Sequence, residues 1–163
     1  GSDILSKYKS ESIIGYTEIN NLDELNGAII EKAENISGLF KEGEWGGCNQ
    51  IYNLDNGDLG VIGHIAEKTQ GENNLMYSTY MNMAFVFNPI DHCAYNFKLI
   101  GTRNSYMEGP AKQPYLSDCV FTSGITPRED GKVDLYSGMG DCEEGRITID
   151  NPFENKIIGP KLL

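Results

Sequence analysis

From Glu44 onward the chain consists of short apolar runs cut by Gly, Asn and Pro, a pattern that confines it to an antiparallel β fold. Residues 47–54 (GCNQIYNL) and 59–67 (LGVIGHIAE) flank Asp55-Asn56-Gly57-Asp58. An Asn-Gly pair accepts the positive φ angles of a tight hairpin turn, so these two runs pair with each other. Residues 79–87 (TYMNMAFVF) read as a third strand stopped by Asn88-Pro89, and residues 94–103 as a fourth in which Tyr95, Phe97 and Leu99 alternate. A polar loop with Gly and Pro covers residues 104–117. Residues 118–141 then form a second hairpin, and residues 145–149 a last strand closed by Asn151-Pro152.

The N-terminal region follows another rule. Residues 12–19 (SIIGYTEI) read as a strand with a glycine inside it. Asn21 stands three before Glu24, a capping-box-like start, and Leu22, Leu25, Ile29, Ala33 and Ile36 recur at helical spacing. This predicts one helix over residues 22–36, stopped by Gly38. The expected fold class is all-β with one short helix. A chain of 163 residues makes one domain, residues 3–163, with Gly1-Ser2 reading as an expression scar.

Four consecutive antiparallel strands, a loop, and the same order starting again is the layout of β-propeller blades. Residues 47–103 make one full blade, residues 118–149 three strands of the next, and residues 12–19 an outer strand of the one before. A closed propeller needs at least four blades, about twice what is present here. The expectation is a partial propeller held by a complementary chain, either an N-terminal half or a second copy, because open blade edges would otherwise template aggregation.

Lys+Arg number 13 against 24 Asp+Glu, a formal charge of −11, which repels phosphate backbones and anionic lipid and argues against nucleic-acid or membrane partners. Cys48, Cys93, Cys119 and Cys142 are scattered singly and read as reduced thiols of a cytoplasmic protein. Neither a signal peptide nor an apolar run of membrane length is apparent.

An antiparallel pair sets the start of its first strand beside the end of its second, so Asp118 and Asp141 share one rim of the second hairpin. Two carboxylates on one rim are the minimum for general acid/base work on a sugar, although both positions also suit plain turn residues. Blade alternation brings further groups to that face: Glu44, Trp45 and Asn49 at the start of a first strand, His64 near the end of its partner, Arg103 at the end of the fourth, and Lys112 before Asp118. Such a face can stack a sugar ring, bind hydroxyls and hold an anion.

These residues carry a resemblance. Gly43-Glu44-Trp45-Gly46-Gly47 with Asn49, Gly63-His64-Ile65-Ala66, Lys112 through Asp118-Cys119-Val120-Phe121-Thr122-Ser123-Gly124-Ile125, and Leu135-Tyr136-Ser137-Gly138-Met139-Gly140-Asp141 resemble the family known as domain of unknown function 1861. Its members look like five-bladed β-propellers related to glycoside hydrolase families 43 and 32 and to the family 130 mannoside phosphorylases. In family 130 similar segments line the sugar site, and Asp118, Asp141 and Tyr136 fall on its two aspartates and a tyrosine. The early-blade motifs Asn-Asp-Pro and Asp-Pro-Arg of these propellers do not occur here, so the chain resembles a C-terminal half.

The resemblance implies a glycoside hydrolase or glycoside phosphorylase acting on a small saccharide. Asp118 would be an acid, base or tuning carboxylate, Asp141 and His64 would bind hydroxyls, and Arg103 with Lys112 would hold an anion, inorganic phosphate being the co-substrate in phosphorolysis. No metal or organic cofactor is required. The alternative is a non-catalytic sugar-binding or scaffolding β-module, which the missing Asp-Pro motifs would suit.

Overall fold

The computed structural model describes residues 10–158. Gly1-Ser2 lies outside them. The strands are β1 (Gly15–Tyr16), β2 (Glu34–Asn35), β3 (Trp45–Asn53), β4 (Leu59–Gln70), β5 (Met76–Asn88), β6 (Cys93–Gly101), β7 (Val120–Pro127), β8 (Lys132–Met139) and β9 (Glu143–Asp150), and α1 (Gly27–Glu31) precedes β2.

The helix expected over residues 22–36 does not form as one unit, because two asparagine caps compete. Asn21 accepts the N–H of Asp23 at 3.0 Å and opens a single 3-10 turn, Leu22–Glu24. Asn26 accepts the N–H of Ile29 at 3.2 Å and opens the five-residue α1. Leu22, Leu25 and Ile30 stay exposed, so no tertiary packing rewards a continuous helix. The strand expected over residues 12–19 likewise shrinks to β1, paired with β2 through Gly15 and Asn35.

The remaining strands follow the expected order. β3, β4, β5 and β6 form one antiparallel sheet in sequence order, and β7, β8 and β9 a second. The Asp55-Asn56-Gly57-Asp58 turn closes β3 onto β4: Leu54 N–H donates to Asp58 O at 3.0 Å and Gly57 adopts φ 89°. The result is all-β and propeller-like in part, with two successive blade-like sheets.

The first sheet is buried on both faces. Ile62, Ala84 and Val86 face the second sheet, meeting Ile125, Val133 and Leu135. Val61, Met83, Phe85 and Phe87 face the opposite way, against Ile14 and Leu39 of the N-terminal segment. Apart from Ala84, each of these side chains contributes about 1.5–3 kcal/mol by leaving water. Residues 151–158 return to the first sheet, where Ile157 bridges Leu54 and the Phe153 ring lies over Gly60, so close that a Cβ there would sit 2.7 Å from it.

Between the sheets lies a buried polar network centred on Asn82. Its Nδ2 donates to Thr122 Oγ1 at 2.7 Å and Ser137 Oγ at 3.0 Å, while its Oδ1 accepts from Tyr106 Oη at 3.0 Å. Thr122 in turn donates to Gly63 O at 2.6 Å, and Tyr106 Oη and Ser137 Oγ are 2.8 Å apart. Every polar group here is satisfied, and each would cost about 1–3 kcal/mol if stranded. Asn82→Ala strands at least one of them, so it should lower stability by about 3 kcal/mol in urea denaturation, well beyond the effect of a surface Asn→Ala.

Candidate functional site

The start of β3, the end of β4, the start of β5 and the end of β6 lie at one end of the first sheet, since Trp45 pairs with Ala66, Ala66 with Tyr80, and Asn82 with Gly101. β7 joins that end through a parallel bridge between Cys119 and Tyr80. Val120 pairs with Met139, so Asp118 and Asp141 stand at the same end of the β7–β8 hairpin, as the hairpin pattern anticipates.

Two groups of side chains meet there. The first is an aromatic niche around His64. A bulge between Cys48 and Gln50 releases Asn49 from the β3–β4 ladder, and Asn49 Oδ1 lies 2.8 Å from His64 Nδ1. An amide oxygen only accepts, so this contact is a hydrogen bond in the tautomer that carries its proton on Nδ1. The imidazole packs 4.4 Å from the Phe121 ring and is stacked 5.9 Å from Tyr80, and beneath it Gly47 leaves space that a Cβ would narrow to 3.1 Å. Burial lowers the His64 pKa from its ordinary 6.5, which holds the ring neutral.

The second group is an acidic rim. Asp118 Oδ2 accepts from Thr79 Oγ1 at 2.9 Å, and its carbonyl accepts from the Tyr80 N–H at 3.0 Å. Asp141 sits in the left-handed region at φ 59°, after Gly140 at φ 57°, and its Oδ2 is 2.8 Å from Lys112 Nζ. Both carboxylates are exposed and flank Cys119, whose thiol is pushed up to about 11 by burial first and then by Asp141 and Asp118. Thr79 precedes Tyr80 directly and Asp118 lies three before Phe121, so the two groups are continuous.

Other anticipated residues take different places. Trp45 is buried and meets Tyr80 edge-on at 5.9 Å, so it anchors the niche from below instead of offering an open stacking face. Glu44 caps a turn, its carboxylate accepting the Lys41 N–H at 2.7 Å. Arg103 is buried, with its guanidinium donating to Met107 O at 2.8 Å and Gly109 O at 3.3 Å, and it lines a cavity of about 400 Å³ with Asn104, Tyr106, Glu108, Gly109 and Ser117. Lys112 is paired with Asp141, whereas Arg103 is engaged with backbone carbonyls. Tyr136 alternates with buried Leu135 and Ser137, so it takes the outer face of the second sheet, opposite Arg146 and on the face that Phe121 shares through its pairing with Gly138.

Sequence reasoning passed over Tyr80, Phe121 and Thr79. Tyr80 was findable: on the expected hairpin, alternation from Asn82 sets it on the His64 face. The seating of Phe121 on His64 depends on how the two sheets stack, which no local pattern encodes. Among the described residues no group of three or more His, Cys, Asp or Glu is placed to hold a metal, and no helix is long and apolar enough to cross a membrane. The four cysteines are free.

Two stacked antiparallel sheets with a niche and an acidic rim at their shared end define a partial propeller-like protein. The chain belongs to the family described as "Protein of unknown function (DUF1861)", whose pattern matches residues 3–155. Among solved structures it is similar to MPT-4, a mannose phosphorylase from Leishmania mexicana solved with a phosphate ion, at 44% identity and TM-score 0.86 over 90% of this chain and 46% of that one. It is also similar to MPT-1, a GDP-Man-dependent mannosyltransferase from the same organism (42%, TM-score 0.85, 90% and 48%), and to a hypothetical protein from Leishmania major (46%, TM-score 0.80, 90% and 47%). The chain thus spans a little under half the length of these relatives. No curated protein matches it significantly.

The lowered His64 pKa fixes a pH dependence. In the unfolded chain the ring takes a proton near 6.5 while the folded niche resists it, so stability is full above that value and falls as pH drops from 6.5 toward the folded pKa. The melting temperature should therefore decline less steeply between pH 7.5 and 5.5 in His64→Gln than in the wild type.

Proposed function

We propose that this chain forms one half of a carbohydrate-active propeller enzyme that transfers a mannose-type sugar, with phosphorolysis favoured over hydrolysis. The carrying observation is the 44% identity to a mannose phosphorylase over 90% of the chain, coupled to a niche with the chemistry a pyranose needs. Tyr80 and Phe121 offer ring faces for the C–H face of a sugar, and His64 Nε2 and the Asp141 carboxylate accept from its hydroxyls.

Asp118 is the acid/base candidate, open to solvent and held in position by Thr79. In phosphorolysis the bond from C1 to the leaving oxygen breaks, a phosphate oxygen forms the new bond to C1, and the leaving oxygen takes a proton, the step assigned here to Asp118. Arg103 and Lys112 remain the candidates for the anion. On this reading the protein is cytoplasmic, consistent with its free thiols, and works with a complementary half or a second copy that completes the ring.

A non-catalytic sugar-binding module, with Tyr80 and Phe121 as its ring faces, is the second reading. Aryl glycosides of manno and arabino configuration, with and without inorganic phosphate, separate the readings. Sugar 1-phosphate formed only with phosphate supports the proposal, and free sugar formed equally without it turns the assignment to hydrolysis. Saccharide binding that never leads to turnover, and that is lost in Phe121→Ala, supports the binding module. If turnover is seen, Asp118→Asn should lower it by about 100-fold or more. Light scattering should return a mass above the 18.1 kDa of one chain; a monodisperse monomer with a cooperative melt would contradict the completed-ring assembly.

A further inference from the structure

The niche contains a residue whose placement has no packing explanation. Asn49 sits at the bulge of β3, where the register jumps from Cys48–Gly63 to Gln50–Ile62 and leaves it opposite no residue of β4. A bulge costs ladder hydrogen bonds and characteristically re-aims a side chain. Here the re-aimed group is an amide oxygen, delivered to 2.8 Å from His64 Nδ1. On its faces the imidazole meets Phe121 at 4.4 Å and Tyr80 at 5.9 Å, and Gly47 beneath it carries no Cβ to crowd the ring.

We propose that Asn49 is a positioning residue: it holds His64 in the Nδ1–H tautomer, so that Nε2 stands in the niche as a hydrogen-bond acceptor for a hydroxyl of the bound saccharide. The sugar clause rests on the carbohydrate reading above; the positioning clause does not. Without Asn49 the imidazole can carry its proton on either nitrogen, and the Nε2–H form presents a donor where the niche now presents an acceptor. A hydroxyl donating to Nε2 must then turn or leave. A second consequence concerns selectivity, since an acceptor fixed against two aromatic faces prefers a polyol with one apolar ring face over a charged ligand.

The test uses the 163-residue chain, which contains only two histidines, so the ring resonances of His64 can be assigned by comparison with His92→Gln. Long-range proton–nitrogen correlation spectra at pH 8 read the tautomer directly, and titration with mannose or a mannobiose reads the site. The wild type should show the proton on Nδ1, Asn49→Ala should move it to Nε2 or mix the two forms, and mannoside affinity should fall about 10-fold. Asn49→Asp keeps an acceptor at the same place and should restore the Nδ1–H form, a rescue that a purely structural role for the bulge would not produce. A wild-type proton on Nε2, or an unchanged tautomer in Asn49→Ala, overturns the positioning role. An intact tautomer effect with mannoside affinity unchanged in Asn49→Ala overturns the acceptor clause alone, and no mannoside binding by the wild type in its assembled form overturns the carbohydrate reading with it; either leaves the positioning role standing.

Discussion

The interaction on which the rest depends is the buried amide of Asn82. Apolar contact between two sheets is non-directional, and Ile62, Ala84, Val86 and Leu135 alone would tolerate the sheets sliding or rotating by a fraction of a residue. The hydrogen bonds from Asn82 to Thr122 and Ser137 permit no such slack, because each misplaced donor would be stranded out of water. Thr122 extends the constraint to the backbone of β4 at Gly63, one residue from His64. The geometry of the site is therefore inherited from a polar lock a few ångströms below it, and Phe121, next to Thr122 in β7, reaches the imidazole for that reason.

The acidic rim is positioned by different means. Asp118 is not placed by its own strand, which begins two residues later, but by β5: the Tyr80 N–H holds its carbonyl and the Thr79 hydroxyl its carboxylate. Asp141 is placed by a left-handed pair with Gly140, whose carbonyl accepts from the Lys112 N–H at 2.8 Å. A Cβ on Gly140 would lie 2.7 Å from Pro110 O, so the close approach of the 104–117 loop needs glycine there. Arg103 completes that loop by drawing the carbonyls of Met107 and Gly109 onto one guanidinium.

Strand order, both hairpins and the shared rim of Asp118 and Asp141 were legible because they rest on local rules, namely alternation of side chains and the φ demands of the glycine-bearing turns at Gly57 and Gly131. The segment over residues 22–36 was misread because helical spacing records where apolar side chains fall and not whether anything covers them, and Leu22 and Leu25 remain in water. Trp45 and Arg103 were assigned to the rim by their place along a strand, and Tyr136 by the family resemblance. Where these side chains lie depends on which side of the strand they take and on how far a long side chain reaches back into the protein. A bulge such as that at Asn49 is silent in the sequence, since it is a one-residue mismatch that only the partner strand reveals.

The charge of the molecule bears on which reaction such a rim can serve. A protein with a formal charge of −11 repels phosphate unless cations are concentrated locally. Lys112 is paired with Asp141 at 2.8 Å, so an incoming anion would share its ammonium with that carboxylate. Arg103 is different: it forms no salt bridge with a described carboxylate within 4.0 Å, its guanidinium uses two donors on carbonyls, and it borders the cavity of about 400 Å³ beside Ser117, the residue before Asp118. A guanidinium has five N–H donors, so capacity for an oxyanion remains. An anion entering that cavity would therefore meet the unused Arg103 donors directly, with the Glu108 carboxylate as a neighbour, whereas at Lys112 it would share the ammonium with Asp141.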